Sequence, residues 1–345
     1  MKLESIPPRY EAFSKEYPGL AVCRVAVQEK GLYRILTAAG TQPAQTSGKF
    51  RHEVRTASEY PAVGDYVMTE LNGGGAAVIH AVLPRSSVFI RKAAGSAKTE
   101  QVVAANVDTV FLCMSLNNDF NLRRLERYLA TAWDSGAAPV ILLTKADLCD
   151  ELAPKLAQVE SVAAGTEIVT VSAMEEDCRL RLAPWLTAGQ TLAFVGSSGV
   201  GKSTLINNLL GEDKMLTNGI RNDDKGRHTT THRELMILPC GATVIDTPGM
   251  RELGIWDAGG GLSAAFADIE ELALGCRFRD CTHGSEPGCA VRAALERGEL
   301  SEARLKSYEK LKAENTFSGD SESYLAAKEA KFKKIAKYNK SNHNK

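Results

Sequence analysis

Gly196-Ser197-Ser198-Gly199-Val200-Gly201-Lys202-Ser203-Thr204 is the stretch whose reading decides the fold. It fits GxxxxGK[ST] at every fixed position. The apolar run Leu192 to Val195 precedes it and the helix-compatible Leu205 to Leu210 follows, the strand, loop and helix context that a phosphate-binding loop requires. The glycines let the chain curl so that backbone N–H groups converge on a phosphate, and the helix N-terminus adds positive potential. Lys202 is placed to reach the β- and γ-phosphates and Ser203 to hold Mg²⁺. This stretch therefore predicts an α/β nucleotide-binding domain.

Upstream, Thr109 to Met114 and Val140 to Thr144 are apolar throughout rather than alternating, which predicts buried strands of a parallel sheet. Between them Leu122, Leu125, Tyr128, Leu129 and Ala132 share one helical face, with Gly136 as a stop. The second strand ends in Thr144-Lys145-Ala146-Asp147. A carboxylate there accepts from N1–H and the 2-amino group of guanine, whereas adenine presents an acceptor at N1, so Asp147 argues for GTP over ATP. The strand Glu167 to Ala173 ends in Val171-Ser172-Ala173 and brings a backbone N–H toward the guanine oxygen.

Downstream comes Gly226 to His232, GRHTTTH, then a strand at Ala242 to Ile245 running into Asp246-Thr247-Pro248-Gly249. Asp246 suits Mg²⁺ through water, Gly249 lets its N–H approach the γ-phosphate, and Thr229 or Thr230 is a further Mg²⁺ ligand in the GTP state. The guanine-reading elements thus precede the phosphate loop, the reverse of an ordinary small GTPase, so the domain reads as circularly permuted, with Leu180 to Gly189 joining the old ends. Met250 stands where a Ras-like enzyme has the glutamine that orients water. Intrinsic hydrolysis is therefore expected to be slow, with His228 the catalytic candidate because its imidazole titrates near neutral pH.

Length sets the scale: 345 residues suggest two or three domains. The zero net charge conceals basic ends, with thirteen Lys and Arg against nine Asp and Glu in residues 1–100 and seven against two in residues 321–345. There is no apolar run of eighteen residues and no apolar leader, so a cytoplasmic protein without a membrane partner is expected. Five cysteines, at 23, 113, 149, 178 and 240, read as buried free thiols.

Before the nucleotide domain, Val22 to Val27, Leu32 to Thr37, Lys49 to Val54, Asp65 to Thr69 and Ala76 to Leu83 read as five short strands, a closed barrel of the OB type. Lys49, Arg51, His52 and Arg55 around Phe50 have the composition of an RNA surface, charge beside a base-stacking ring. Residues 85–102 are taken as a basic linker between a barrel at 1–84 and the GTPase domain at 103–258. In 259–345, Cys276, Cys281, His283 and Cys289 form C-x4-C-x-H-x5-C, a closed tetrahedral set for one structural Zn²⁺. Glu302 to Leu311 reads as a helix, and the Lys-rich tail from Lys328 to Lys345 as a helix along RNA phosphates or a frayed end.

The permuted order, the GRHTTT loop, DTPG followed by a hydrophobic residue and the cysteine–histidine spacing together resemble the ribosome small subunit-dependent GTPase A family (RsgA, YjeQ, YloQ) over essentially the whole chain. The resemblance implies an OB-fold, a permuted GTPase domain and a zinc domain that bind the 30S subunit and its 16S rRNA late in assembly. It also implies 30S-stimulated hydrolysis of GTP to GDP and release of a maturation factor. His228 matches the histidine proposed as catalytic in that family, and a monomer is expected. Thr144, where many GTPases have Asn, is expected to leave the Asp147 contact intact and to loosen the loop that positions it. Two rival readings are a non-catalytic RNA-binding assembly module and a signalling or transport GTPase.

Overall fold

Runs of β-branched and aliphatic residues without polar alternation fold here into a sheet covered on both faces. The computed structural model describes residues 3, 6–29, 31–73, 75–92, 100–117, 119–163, 165–175, 177–212, 233–246 and 259–315. The central strands are β8 (Thr109–Ser115), β9 (Ala138–Thr144), β10 (Glu167–Thr170), β11 (Thr191–Val195), β12 (Arg233–Ile237) and β13 (Thr243–Asp246). Every residue of β8 and β11 is buried, as their unbroken apolar character requires. Their spatial order is β10-β9-β8-β11-β13-β12, all parallel except the last pairing, which is antiparallel. The phosphate-loop strand β11 thus lies centrally, between a strand from earlier and one from later in the chain. The helix Leu122–Ser135 joins β8 to β9, opened by Asn121, whose side chain accepts from Arg124 N, and closed at Gly136.

Ahead of this sheet, β1 (Ala21–Glu29), β2 (Leu32–Thr37), β3 (Gly40–Thr46), β4 (Tyr66–Glu70) and β5 (Ala77–Val82) form a closed five-stranded barrel. The circuit runs β1-β2-β3-β5-β4 and back to β1, with only β3–β5 parallel. Five strands were expected, but one of the five is different. Gly48–Glu53 is a helix, capped by Ser47, whose hydroxyl accepts from Phe50 N, and not the strand expected at Lys49 to Val54. The missing strand is β3, Gly-Thr-Gln-Pro-Ala-Gln-Thr, which has no β-branched run of its own and is held by neighbours on both sides. Pro43 is tolerated because β5 pairs β3 only at Ala44 to Thr46.

The expected linker is also structured where it is described: β6 (Val88–Lys92) and β7 (Glu100–Ala105) form an antiparallel hairpin. Barrel and central sheet are continuous. β1 shifts register between Val25 and Val27, a bulge that bends it so that its first half pairs β4 while Val27 and Gln28 pair β12. At this junction Arg24 is 2% exposed and donates to the Gly64 carbonyl, Thr243 Oγ1 and Thr191 Oγ1 at 3.3, 3.2 and 2.6 Å, with its guanidinium over the Tyr66 ring. Three oxygens and a π-face offset the desolvation that pulls this cation's pKa down.

The C-terminal helices Gly259–Ala265, Ala267–Ala273, Ala290–Glu296 and a helix over residues 302–315 close over the helix Leu122–Ser135. A Cβ at Gly261 would collide with the Ala130 carbonyl and lie 2.7 Å from Asp134 N, so only glycine permits this approach. Glu126, fully buried, accepts from Arg304 (2.9 Å), Arg123 (2.5 Å) and Ser307. Arg304 also forks onto Asp268 at 3.1 and 2.9 Å and stacks over Phe266. Of the five cysteines expected to be buried, Cys23, Cys113 and Cys178 are, while Cys149 is half-buried and Cys240 is exposed at a turn. No helix among the described residues is long and apolar enough to cross a membrane.

Candidate nucleotide site and metal centre

Parallel strands share a direction, so the loops that leave their carboxyl ends gather along one edge of the sheet. Here those loops begin after Ser115, Thr144, Thr170 and Val195, and β13 ends on the same edge at Asp246. The phosphate loop leaves β11 and enters the helix Lys202–Leu210. At its first residue a Cβ would sit 2.5 Å from the Cys113 carbonyl, so Gly196 is required by the closeness of β8. Lys202 Nζ turns back into the loop and donates to the Gly196 and Ser197 carbonyls, each at 2.6 Å. Ser203 and Thr204 lie in the first turn of the helix, half-buried.

The loop expected to read guanine is fastened to the loop expected to bind phosphate. Thr144 Oγ1 donates to the Val200 carbonyl at 2.6 Å, and Thr144 is buried. The expectation that a threonine here loosens the loop is therefore corrected: its hydroxyl reaches across to the residue before Gly201 and ties the two loops together. Lys145 adopts a left-handed conformation (φ 58°), and Asp147 lies exposed in the single turn Ala146–Leu148 that follows. Ser172 is buried, and Asn208 of the helix Lys202–Leu210 donates to the Ala173 carbonyl at 3.2 Å, fixing the second segment expected to read guanine to the same helix. Asp246 ends β13, half-buried beside β11. His228, Thr229, Thr230 and Gly249 lie outside the described residues, as does the Lys-rich tail.

One residue of this edge was not foreseen. Asp119, in the loop after β8, accepts from Ser197 Oγ of the phosphate loop and from Arg124 Nη1 at 2.7 Å. Partial burial would raise its pKa, but the hydrogen bonds from Ser197 and Arg124 and the charges of Arg124 and Lys145 outweigh that and hold the carboxyl below its usual range. A lone Asp in an Asn-Asn-Asp-Phe-Asn loop carries no sequence signal for this contact, which spans 78 residues.

If the Thr144 bond positions the guanine loop, Thr144→Val should weaken guanine nucleotide binding about tenfold or less, as one buried hydrogen bond is worth about 0.5–1.5 kcal/mol. Thr144→Ser should restore it. Titration with GDP is the measurement, and an unchanged affinity in the valine variant would mean the loop is held by other contacts.

Cys276, Cys281, His283 and Cys289 converge with all four ligand atoms within 4.8 Å of one another. A tetrahedral ion with bonds of about 2.3 Å to sulfur and about 2.0 Å to nitrogen requires edges of about 3.8 Å between sulfurs and about 3.5 Å between sulfur and nitrogen. The Cys276 Sγ to Cys289 Sγ distance is 3.9 Å, and His283 Nδ1 lies 3.7 and 3.5 Å from those sulfurs, so the donor set fits such an ion. Cys289 also caps the helix Ala290–Glu296, its sulfur accepting from Arg292 N at 3.4 Å.

On the barrel, Lys49, Arg51, His52 and Arg55 are exposed on and just beyond the helix Gly48–Glu53. Phe50 is not available to them. It is 8% exposed and packs edge-to-face on Tyr60 with ring centroids 6.0 Å apart, so the expectation of a base-stacking ring at this position is corrected.

A family model described as RsgA GTPase matches residues 82–256. The chain is 53% identical to small ribosomal subunit biogenesis GTPase RsgA 2 of Lactiplantibacillus plantarum, covering 87% of this chain and 85% of that protein. With RsgA 1 of Oceanobacillus iheyensis it is 42% identical, covering 99% and 100%. Among solved structures, YjeQ from Thermotoga maritima superposes with a TM-score of 0.62 at 27% identity, over 85% of this chain and 97% of that one. YloQ, described as a circularly permuted GTPase, gives 0.60 at 25% identity, over 85% and 94%.

Proposed function

The chain belongs to the RsgA GTPase family, and from that premise we propose how its site works as a GTPase of small ribosomal subunit biogenesis that hydrolyses GTP to GDP and phosphate. The observation that carries this reading is the Thr144 to Val200 bond, which makes one unit of a guanine-reading loop and a phosphate loop that lie in permuted order along the chain.

In this reading Gly196 to Thr204 wrap the phosphates, with Lys202 leaving its two carbonyl partners for the β- and γ-phosphate oxygens. Asp147 takes the guanine N1–H and amino group, Lys145 lies along the base, and Ser172 and Ala173 offer backbone N–H to its oxygen. Ser203 and Asp246 hold Mg²⁺, joined by Thr229 or Thr230, and Gly249 donates to the γ-phosphate. The ion, when bound, neutralises charge between the β- and γ-phosphate oxygens. With Met250 unable to orient water, His228 is the group proposed to do so, completed by the partner. The Cys3His centre holds one structural Zn²⁺, and the barrel, whose β3–β5 parallel closure supports an OB-fold, presents Lys49, Arg51, His52 and Arg55 to 16S rRNA. Barrel, GTPase domain and zinc domain are taken as 1–84, 103–258 and 259–345.

Phosphate release from GTP and from ATP, with and without isolated 30S subunits, tests the whole reading. Turnover with GTP alone, raised by 30S, is expected. Replacing His228 by alanine should keep GTP affinity and lower the stimulated rate by about 10²-fold or more, the scale of general acid–base catalysis. Unchanged stimulated turnover would remove His228 from the mechanism, and equal turnover of ATP would remove Asp147.

A further inference from the structure

Arg91 on β6 and Arg233 at the start of β12 meet where the β6–β7 hairpin reaches the central sheet. Arg233 donates to Gln101 Oε1 at 3.0 Å and to the Val102 carbonyl at 3.2 Å. Arg91 Nη2 lies 3.4 Å from the same Gln101 oxygen, and its Nε is buried with no hydrogen-bond partner among the described residues. Among the described residues no carboxylate pairs with either guanidinium. Burial first, and then the positive charge of Arg91, press the Arg233 pKa down to about 10.

Two cations sharing one amide oxygen in a partly desolvated place repel each other, and no described carboxylate offsets it. The chain's other enclosed arginines are not left this way. Arg85 forks onto Asp65 at 2.8 and 2.7 Å, Arg304 has Glu126 and Asp268, and Arg24 has a separate oxygen for each of its three bonds. An arrangement that is costly in the free protein becomes favourable when an anion with several acceptor oxygens joins it.

A second observation lies next to the first. Gln101 also lines a cavity of about 260 Å³ with Gln28, Gly31, Tyr33, Ala57 and Tyr60. At about 30 Å³ per water it has room for roughly eight, the scale of one heterocyclic base. The Gln28 side chain hydrogen-bonds Tyr33, and its Oε1 is buried there without a partner among the described residues. Tyr33, 6% exposed, only closes the cavity, whereas half-buried Tyr60 offers a ring on which a base can stack, and primary amides pair with base edges.

We propose that Arg91 and Arg233 bind a backbone phosphate of a single-stranded segment of ribosomal RNA, with the Gln28–Tyr33–Tyr60 cavity taking the unstacked base of the adjoining nucleotide. This rests on the small-subunit reading above and gives it a specific contact. The site adjoins the exposed Lys49, Arg51, His52 and Arg55 through Tyr60, whose ring packs on Phe50 of their helix.

The test measures affinity of the full-length protein for isolated 30S subunits across a salt series, with a non-hydrolysable GTP analogue present. Arg91→Gln is expected to weaken binding about tenfold and to reduce the slope of log K against log salt by about 1. Its melting temperature should be unchanged or higher, because a repulsion is relieved, and its GTP turnover without 30S should be unchanged. Gln28→Leu should weaken binding with no change of slope. Wild-type affinity and slope in Arg91→Gln would overturn the phosphate site, as would lost binding together with a lowered melting temperature, which would make the arginine a structural part. Wild-type affinity in Gln28→Leu would overturn the base cavity. If the wild-type protein fails to bind 30S, it is the small-subunit reading that falls. The site is then judged on a short single-stranded RNA, where equal affinity of wild type and Arg91→Gln would overturn it separately.

Discussion

Replacing Cys289 by alanine is expected to abolish stoichiometric zinc binding and to unfold the segment around residues 276–298, while guanine nucleotide binding persists. Cys289 holds two positions at once, a corner of the Cys3His set and the N-cap of the helix Ala290–Glu296. Structural zinc supplies about 10–16 kcal/mol of apparent free energy in small zinc modules, so loss of one ligand of four removes far more than an isolated loop of this composition can replace. The unfolding should stop short of the whole C-terminal module. Phe266, Ile269, Leu305, Tyr308 and Leu311 belong to the same hydrophobic cluster as Leu125 and Leu129, and the Glu126–Arg304 pair ties residues 302–315 to the central domain independently of the metal. Metal analysis together with hydrogen exchange decides it. One zinc per chain with wild-type protection over residues 276–298 in the alanine variant would overturn the assignment of these four residues.

The other large effect is at Lys202. Lys202→Ala is expected to weaken both GTP and GDP binding by about 10²-fold or more. The ammonium would otherwise make at least two charge-assisted hydrogen bonds to phosphate oxygens, each worth about 1.5–3 kcal/mol, and about 1.4 kcal/mol is tenfold. Its hydrogen bonds to the Gly196 and Ser197 carbonyls fold the side chain back over the loop that wraps the phosphates in the proposed reading. Stability should change little, because Lys202 is only half-buried. Calorimetric titration with both nucleotides is the measurement, and affinity retained within tenfold would take the phosphate-loop reading down with it.

The parts of the site that were legible in the sequence are those whose chemistry depends on neighbours along the chain. Gly196 to Thr204 reads as a phosphate loop because its glycines, lysine and serine act within one turn, and the four residues of the Cys3His set fall within fourteen residues. The helix Gly48–Glu53 was also legible in principle: Ser47 three residues before Phe50 is an N-cap signal, outweighed by the alternation around it. The strand β3 was not. Its glycine, proline and glutamines have no preference for extended chain, and it exists because β2 and β5 supply partners on either side.

Sequence alone determined the nucleotide class, the permuted order of the motifs and the composition of the metal set, since each follows from residue type and short spacing. Only the tertiary structure decided how those parts are held. Thr144 meets Val200 across 56 positions, Ser197 meets Asp119 across 78, Glu126 meets Arg304 across 178, and Arg24 reaches Thr243 across 219. None of these pairings is signalled by the residues' neighbours in the chain. Burial in a shared, weakly polarisable interior makes each polar group seek the one partner that the strand order brings within reach, and that order is a property of the packed sheet rather than of any segment within it.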